Sequence, residues 1–223
     1  FSDKFGAKGC FFGVNGASGL IQSAVIAMAN PGETILMPRN VHISVIKTCA
    51  MQNILPIFFD LEFSSETGHY KPVTKIWLEN VFKKLNFNDN KIVGVILVSP
   101  SYHGYSGDLE PLIDLCHQKH LPVLVDEAHG SYFLFCENLN LPKSAVSSRA
   151  DLVVQSLHKS LNGLTQTAAL WYKGDLINEH DLIKSINLLQ TTSPSSLLLS
   201  SCEESIKDWL NKKSLSKYQK RIL

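Results

Sequence analysis

The sequence predicts an α/β fold with a mainly parallel sheet, and three observations carry that prediction. Ile92–Val98, Leu121–Val125 and Leu152–Val154 are near-continuous apolar runs, the pattern of strands buried on both faces of a parallel sheet. Between and beyond them lie stretches with helical spacing of apolar residues, at 73–85, 110–119 and 178–189. The runs end in polar clusters: Ser99-Pro-Ser-Tyr-His-Gly104, Asp126-Glu-Ala-His-Gly130 and Ser156-Leu-His-Lys159. Polar groups gathered at strand ends mark the edge where parallel sheets bind ligands. No internal repeat, low-complexity tract or linker interrupts the alternation, which reads as one domain.

The elements follow in order. Residues 11–30 read as a short apolar stretch, a Gly-Ser turn and a helix stopped by Pro31-Gly32. That layout puts the N–H groups of Ala17, Ser18 and Gly19 at a helix N-terminus, where unsatisfied donors and the dipole favour an anion such as phosphate. A plain N-cap at Ser18 is the alternative. Glu33–Met37 is a short strand, and residues 38–51 open a helix with His42 near its start, either at the ligand edge or as a solvated or capping histidine. A strand at 54–59 precedes a polar stretch, 62–72, with a turn at Thr67-Gly68. Lys83 and Lys84 then sit near the C-terminus of the 73–85 helix, the favourable end for cations. The helix at 110–119 leads to Leu121–Val125 and Asp126, and a loop reaches Ala150. After the 152–154 run, Thr167–Tyr172 is a further strand, 178–189 is the last long helix, and a lysine-rich tail follows.

Composition excludes several classes. The 223 residues suit one large α/β domain or two small ones, and 44% hydrophobic against 18% charged is globular. A net charge of +1 gives no electrostatic argument for nucleic acid or an anionic membrane. Cys10, Cys49, Cys116, Cys136 and Cys202 are odd in number and lack Cys-x-x-Cys spacing, which predicts reduced thiols and no metal site. The first residues are not a signal peptide, and no apolar run approaches the roughly 18 residues of a membrane span. The expectation is a soluble, cytoplasmic protein.

The segment Asp151–Gln166 organises the chain, and Lys159 is its central residue. It follows a run expected to be buried, and burial without a partner would lower its pKa and free a nucleophilic amine. Such an amine holds an aldehyde as a Schiff base. Ser156 and His158 are donors suited to a phosphate, and Asp126 is an acid suited to a pyridinium, so pyridoxal phosphate is the aldehyde that fits. Read alone, Lys159 is equally an ordinary surface lysine at a strand end, and Asp126 a capping aspartate.

Taken together, six motifs resemble, in order, the major domain of the Orn/Lys/Arg decarboxylase family. They are Asn15-Gly-Ala-Ser-Gly19, Pro38-Arg-Asn-Val-His42, Val98-Ser-Pro-Ser-Tyr-His-Gly104, Leu124-Val-Asp-Glu-Ala-His-Gly130, Val154-Gln-Ser-Leu-His-Lys-Ser-Leu161 with Leu164-Thr-Gln166, and Leu189-Gln-Thr-Thr-Ser-Pro194. The resemblance implies a three-layer αβα large domain of fold type I over residues 1–205. Residues 206–223 would be a tail that starts a further region. It is similar to the shorter bacterial and cyanobacterial branch, assigned as arginine or lysine decarboxylases.

Carried over to this sequence, the resemblance implies that Lys159 forms the internal aldimine and Asp126 pairs with the pyridine nitrogen. His42 and Ala128 would pack the two ring faces. Ala17, Ser18, Ser156 and His158 would hold the phosphate, and His129 would lie beside the substrate. The site is expected at a homodimer interface, possessing Thr192 and Ser193 from the neighbouring subunit. The implied substrate is a basic amino acid, arginine before lysine or ornithine, and the product a polyamine precursor. Three positions depart from the pattern: Ala17 replaces a hydroxyl residue, and His103 and Ser196 stand where tyrosines are common. Family members usually carry a segment before Phe1 and a domain after this one, so the chain is expected to be a fragment. Another fold type I reaction, such as an aminotransferase or desulfurase, would use Lys159, Asp126 and His42 equally well. An aminotransferase would show a late arginine clamp, and none is evident. A catalytically silent protein of the same fold is the other alternative.

Overall fold

The computed structural model describes residues 1–85, 91–136, 139–211 and residue 216. Seven strands form one sheet: β1 (Gly9–Gly13), β2 (Thr34–Pro38), β3 (Leu55–Phe59), β6 (Ile92–Val98), β7 (Val123–Asp126), β8 (Leu152–Ser156) and β9 (Ala168–Tyr172). A two-stranded ribbon, β4 (Phe63–Ser64) and β5 (His69–Tyr70), stands apart. The helices are α1 (Gly16–Met28), α2 (Ile43–Gln52), α3 (Lys75–Lys84), α4 (Glu110–His117), α5 (Leu157–Ser160), α6 (Glu179–Leu189) and α7 (Ser196–Leu210).

The sheet order is β1-β9-β8-β7-β6-β2-β3. Strands β8, β7, β6, β2 and β3 are mutually parallel, while β9 is antiparallel to both neighbours. Two reversals cancel, so β1 runs in the same direction as β8. The carboxyl ends of β1, β2, β6, β7 and β8 therefore share one edge. The chain moves outward through β2 and β3 and then returns to build β6, β7 and β8 on the other side. That reversal is the kind of switch point at which a crevice opens.

Side-chain alternation with period two explains both the uninterrupted apolar runs and the layering. In β6 and β7, Val95, Leu97, Val123 and Val125 enter one core cluster with Leu78 of α3 and Ile113 of α4. Ile96 and Leu124 enter the opposite cluster with Leu20 and Val25 of α1 and Val45 of α2. Each fully buried Leu or Ile of this kind contributes about 1.5–3 kcal/mol. Helices cover both faces, as expected of an αβα domain.

Several expectations need correction. The stretch after Pro194 is not a polar tail: α7 buries Cys202, Ser205, Ile206 and Trp209 along one face. Ile206 and Trp209 join the first core cluster, so the body of the domain runs through residue 205 to at least Leu210. The tail expected at Lys212–Leu223 lies, apart from residue 216, outside the described residues. The polar stretch 62–72 contains the ribbon, and the loop before Ala150 contains a 3-10 helix at Ser131–Phe135. Asn15, not Ser18, is the N-cap of α1, which places Ser18 inside the first turn. The five cysteines are unpaired, and all but Cys10 are buried. Among the described residues no helix is long and apolar enough to cross a membrane.

Candidate functional site

Four strand ends and one helix start deliver the site. Ala17, Ser18 and Ile21 come from the start of α1, Asn40 and His42 from the β2–α2 turn, and Val98, Pro100 and Tyr102 from the end of β6. Asp126, Ala128 and His129 come from the end of β7, and Lys159 from α5 after β8. Together they line one cavity of about 110 Å³. A larger cavity of about 470 Å³ lies against β3 and α3, but it does not gather this set of titratable groups. Chemistry, not size, selects the smaller one.

Asp126 forms the floor. It is the last residue of β7 and is 6% exposed, and its Oδ1 accepts a hydrogen bond from the Ala128 N–H at 3.1 Å. Burial pushes its carboxyl above the usual range, and the Ala128 N–H, His42 and Lys159 oppose that only in part. Among the described residues no cationic side chain reaches ion-pair distance of it. The Oδ1 of Asn40, also on the wall, is buried without a hydrogen-bond partner. A buried carboxyl short of a cation is what a protonated ring nitrogen would complete. The residues present therefore fit a pyridinium at this position.

His42 is exposed and caps α2: its Nδ1 accepts from the Ser44 N–H at 3.2 Å and lies 2.8 Å from Ser44 Oγ. The capping and ligand-edge readings are both met, because the cap fixes the ring on the cavity wall. The start of α1 is held by Gly16 N–H donating to Gln166 O at 2.8 Å. Gly16 has φ +72, a left-handed conformation that glycine adopts without strain. Ala17 is buried and Ser18 half-buried. The first-turn N–H groups of α1 lack intrahelical acceptors by position.

Lys159 departs from expectation. Residues 152–157 are buried, yet Lys159 itself is exposed. Instead Nζ stands 3.1 Å from His129 Nε2. Burial first, then the positive charges of Lys159 and His42, lower the His129 pKa. A neutral His129 accepts this hydrogen bond at Nε2, so Lys159 Nζ is the donor.

Ser156 and His158 are next to the cavity without lining it. Ser156 is fully buried, with Oγ 3.2 Å from His158 Nδ1, and the same nitrogen lies 3.1 Å from Thr167 O. Thr192 and Ser193 are exposed and lie outside the cavity lining. Sequence reasoning passed over Asn40, Tyr102, Val98, Pro100 and Ile21. The first four lie inside the quoted motifs, so motif membership was the available signal; Ile21, one helical turn after Ala17, had only its spacing.

The comparisons with known proteins agree with this geometry. The family described as Orn/Lys/Arg decarboxylase, major domain, matches residues 1–222. The arginine decarboxylase of Bacillus cereus is 38% identical over 200 residues, covering 89% of this chain and 42% of that protein. The arginine decarboxylase of Bacillus subtilis is 36% identical over 202 residues, covering 91% of this chain and 40% of that protein. The chain thus spans about two fifths of the length of these relatives. The Escherichia coli constitutive lysine decarboxylase superposes with a TM-score of 0.74 at 21% identity, over 92% of this chain and 29% of that one. At that identity the likeness speaks for the fold, that of the type I pyridoxal-phosphate enzymes. With the family matched over residues 1–222, this chain belongs to the Orn/Lys/Arg decarboxylase family.

Proposed function

We propose that this chain forms the cofactor-binding part of a pyridoxal-phosphate-dependent decarboxylase of a basic amino acid, arginine first and lysine or ornithine next. The observation that carries the reading is the meeting of Asp126, His42, Ala128, His129 and Lys159 around one cavity, with the start of α1 on its wall. When bound, pyridoxal phosphate supplies a sink for the electron pair left at Cα as CO₂ departs.

The residues divide the remaining work. Lys159 Nζ would hold the cofactor aldehyde. Asp126 would pair with the ring nitrogen and favour its protonated form. His42 and Ala128 clamp the two faces. The N–H groups of Ala17 and Ser18 receive the phosphate, with Ser156 and His158 as its further donors. A proton would return to Cα from Lys159 Nζ, the donor in its 3.1 Å contact with His129 Nε2. Thr192 and Ser193, exposed and away from their own cavity, are assigned to the cofactor of a second subunit in a homodimer. Leu188 and Leu197, 68% and 67% exposed on either side of them, support a covered surface there.

Among the described residues the aminotransferase alternative gains nothing from the arginines. Arg149 is engaged by Glu110 and Asp114, and Arg39 by Asp60. The test is an absorption spectrum with added pyridoxal phosphate, before and after borohydride, for the protein and its Lys159→Ala variant. Covalent fixation that needs Lys159, with CO₂ release from arginine, lysine or ornithine, is the expected result. Fixation without release from any of the three would sink the decarboxylase reading.

A further inference from the structure

Beside Asp126 lies a second carboxyl that the chemistry above does not use. Glu127 is fully buried. Strand alternation turns it away from the cavity, while Asp126 and Ala128 face into it. Its Oε1 accepts from the Ala145 N–H at 2.7 Å, and its Oε2 from Ser144 Oγ at 2.9 Å and Gln155 Nε2 at 2.6 Å. The other end of the Gln155 amide, Oε1, accepts from Trp171 Nε1 at 2.8 Å. All of these side chains are at most 1% exposed.

The backbone of Glu127 is tied as firmly. Its N–H donates to Val154 O at 2.9 Å, and its carbonyl accepts from the Gly130 N–H at 3.0 Å. The second bond closes the turn that carries Ala128 and His129. Glu127 thus links β7 to β8, to β9 through Trp171, and to the 144–146 loop, from the one position flanked by Asp126 on one side and Ala128 and His129 on the other.

We propose that Glu127 is a positioning residue. Through Gln155 and Trp171 it fixes the turn Asp126–Gly130, and so sets Asp126 and His129 against Lys159. The inference rests on the proposed function for what is positioned, and on the hydrogen-bond geometry for how. Burial pushes the Glu127 carboxyl up to about 7 despite three donors, so the anchor is held at a cost that packing alone does not require. A site whose groups are tied through buried partners keeps its geometry, and misplacement of about 1 Å is enough to cost roughly a hundredfold in rate.

The polarity of the network supplies the experiment. Gln155 donates to Glu127 and accepts from Trp171. In Glu127→Gln, turning the Gln155 amide to meet the new donor leaves two donors facing each other at Trp171. In the double variant Glu127→Gln/Gln155→Glu, the new Gln donates to the new Glu, which also accepts from Trp171, and the chain is whole again. Three readouts are taken on the full chain: amide hydrogen exchange of residues 126–130 without cofactor, the circular dichroism of bound pyridoxal phosphate, and kcat against KM.

Expected for Glu127→Gln are faster exchange at 128–130, an altered cofactor dichroism, and kcat lowered roughly ten- to a hundredfold with KM unchanged. The double variant recovers all three. Exchange and dichroism unchanged in the single variant, or a single variant that only melts earlier, would overturn the proposal. So would a folded double variant that recovers nothing. If the unaltered protein binds no pyridoxal phosphate, the proposed function fails, while the exchange arm still decides whether Glu127 fixes the turn.

Discussion

Lys159 Nζ and His129 Nε2 lie 3.1 Å apart although they stand on different strand ends, β8 and β7. The pair exists because those strands are adjacent and parallel in register, with Asp126 opposite Val154. With the His129 pKa lowered by burial first and by nearby positive charge second, the imidazole is the acceptor. Protonation at low pH removes that acceptor. The rate in the unaltered protein should therefore fall as pH drops below the usual histidine range. A His129→Gln variant should lose that acid limb and roughly 10²–10⁴ in kcat. A pH–rate profile of both proteins checks this, and an acid limb that persists in the variant assigns the titration elsewhere.

Asp126 sets stability against chemistry. Burial pushes its carboxyl above the ordinary aspartate range, so the folded apoprotein bears a desolvation cost there. Asp126→Asn removes that cost while keeping the shape and the Ala128 N–H bond. The apo variant is expected to melt at or above the temperature of the unaltered protein, while kcat falls roughly 10²–10³-fold. Thermal melts and steady-state assays on the same preparations decide it; a variant that melts markedly earlier contradicts the account.

Glu127 gives a pH dependence with a definite sign. Its folded pKa, about 7, is raised from the 4.5 of an unperturbed glutamate. The folded state therefore binds the proton more tightly, and the resulting stability is full below about pH 4.5 and lost as pH rises through about 7. The whole loss is on the order of 3 kcal/mol. Denaturant titrations between these limits should show stability falling with pH in the unaltered apoprotein. The slope should flatten in Glu127→Gln, and equal slopes would refute the assignment.

The turn after Lys159 is tight. A Cβ at Gly163 would come within 2.4 Å of Thr167 Oγ1 and 3.2 Å of the Leu157 carbonyl carbon. The Thr167 hydroxyl is held by Leu164 O at 2.6 Å, and Leu157 N–H donates to Thr167 O at 3.1 Å. Gly163→Ala should cost about 1–3 kcal/mol and weaken cofactor capture by shifting α5. Equilibrium unfolding and a cofactor titration measure the two effects, and normal values of both would show that the turn has room.

The strands were legible because burial on both faces leaves no polar residue to break an apolar run, as in Ile92–Val98. The site was legible because its residues stand directly after those runs, at the one edge that parallel strands share. Burial of a single side chain was not legible, and Lys159 shows why: it follows six buried residues, 152–157, yet the short helix α5 turns it outward. Helix α7 escaped for a different reason. Its buried face, Cys202, Ser205, Ile206 and Trp209, has helical spacing, but two of the four are small and only weakly apolar. Which of two consecutive acids serves the cavity is likewise invisible until the sheet fixes which side of β7 each one takes.

The position of β1 sets an order of assembly. Among the described residues it is an edge strand whose neighbour in the sheet is β9, and that partner spans Ala168–Tyr172. On a ribosome β1 thus waits for its sheet partner until some 150 further residues have been made. The turn that follows β1 is tied down only then, by the Gly16 N–H donating to Gln166 O. A nascent chain halted before Gln166 and β9 would hold Asp126 and His129 in sequence but would lack Thr167 O, which accepts the Leu157 N–H at the start of α5, and Gln166 O, which accepts the Gly16 N–H. Completion of the site is in this way a signal that translation has passed the ninth strand.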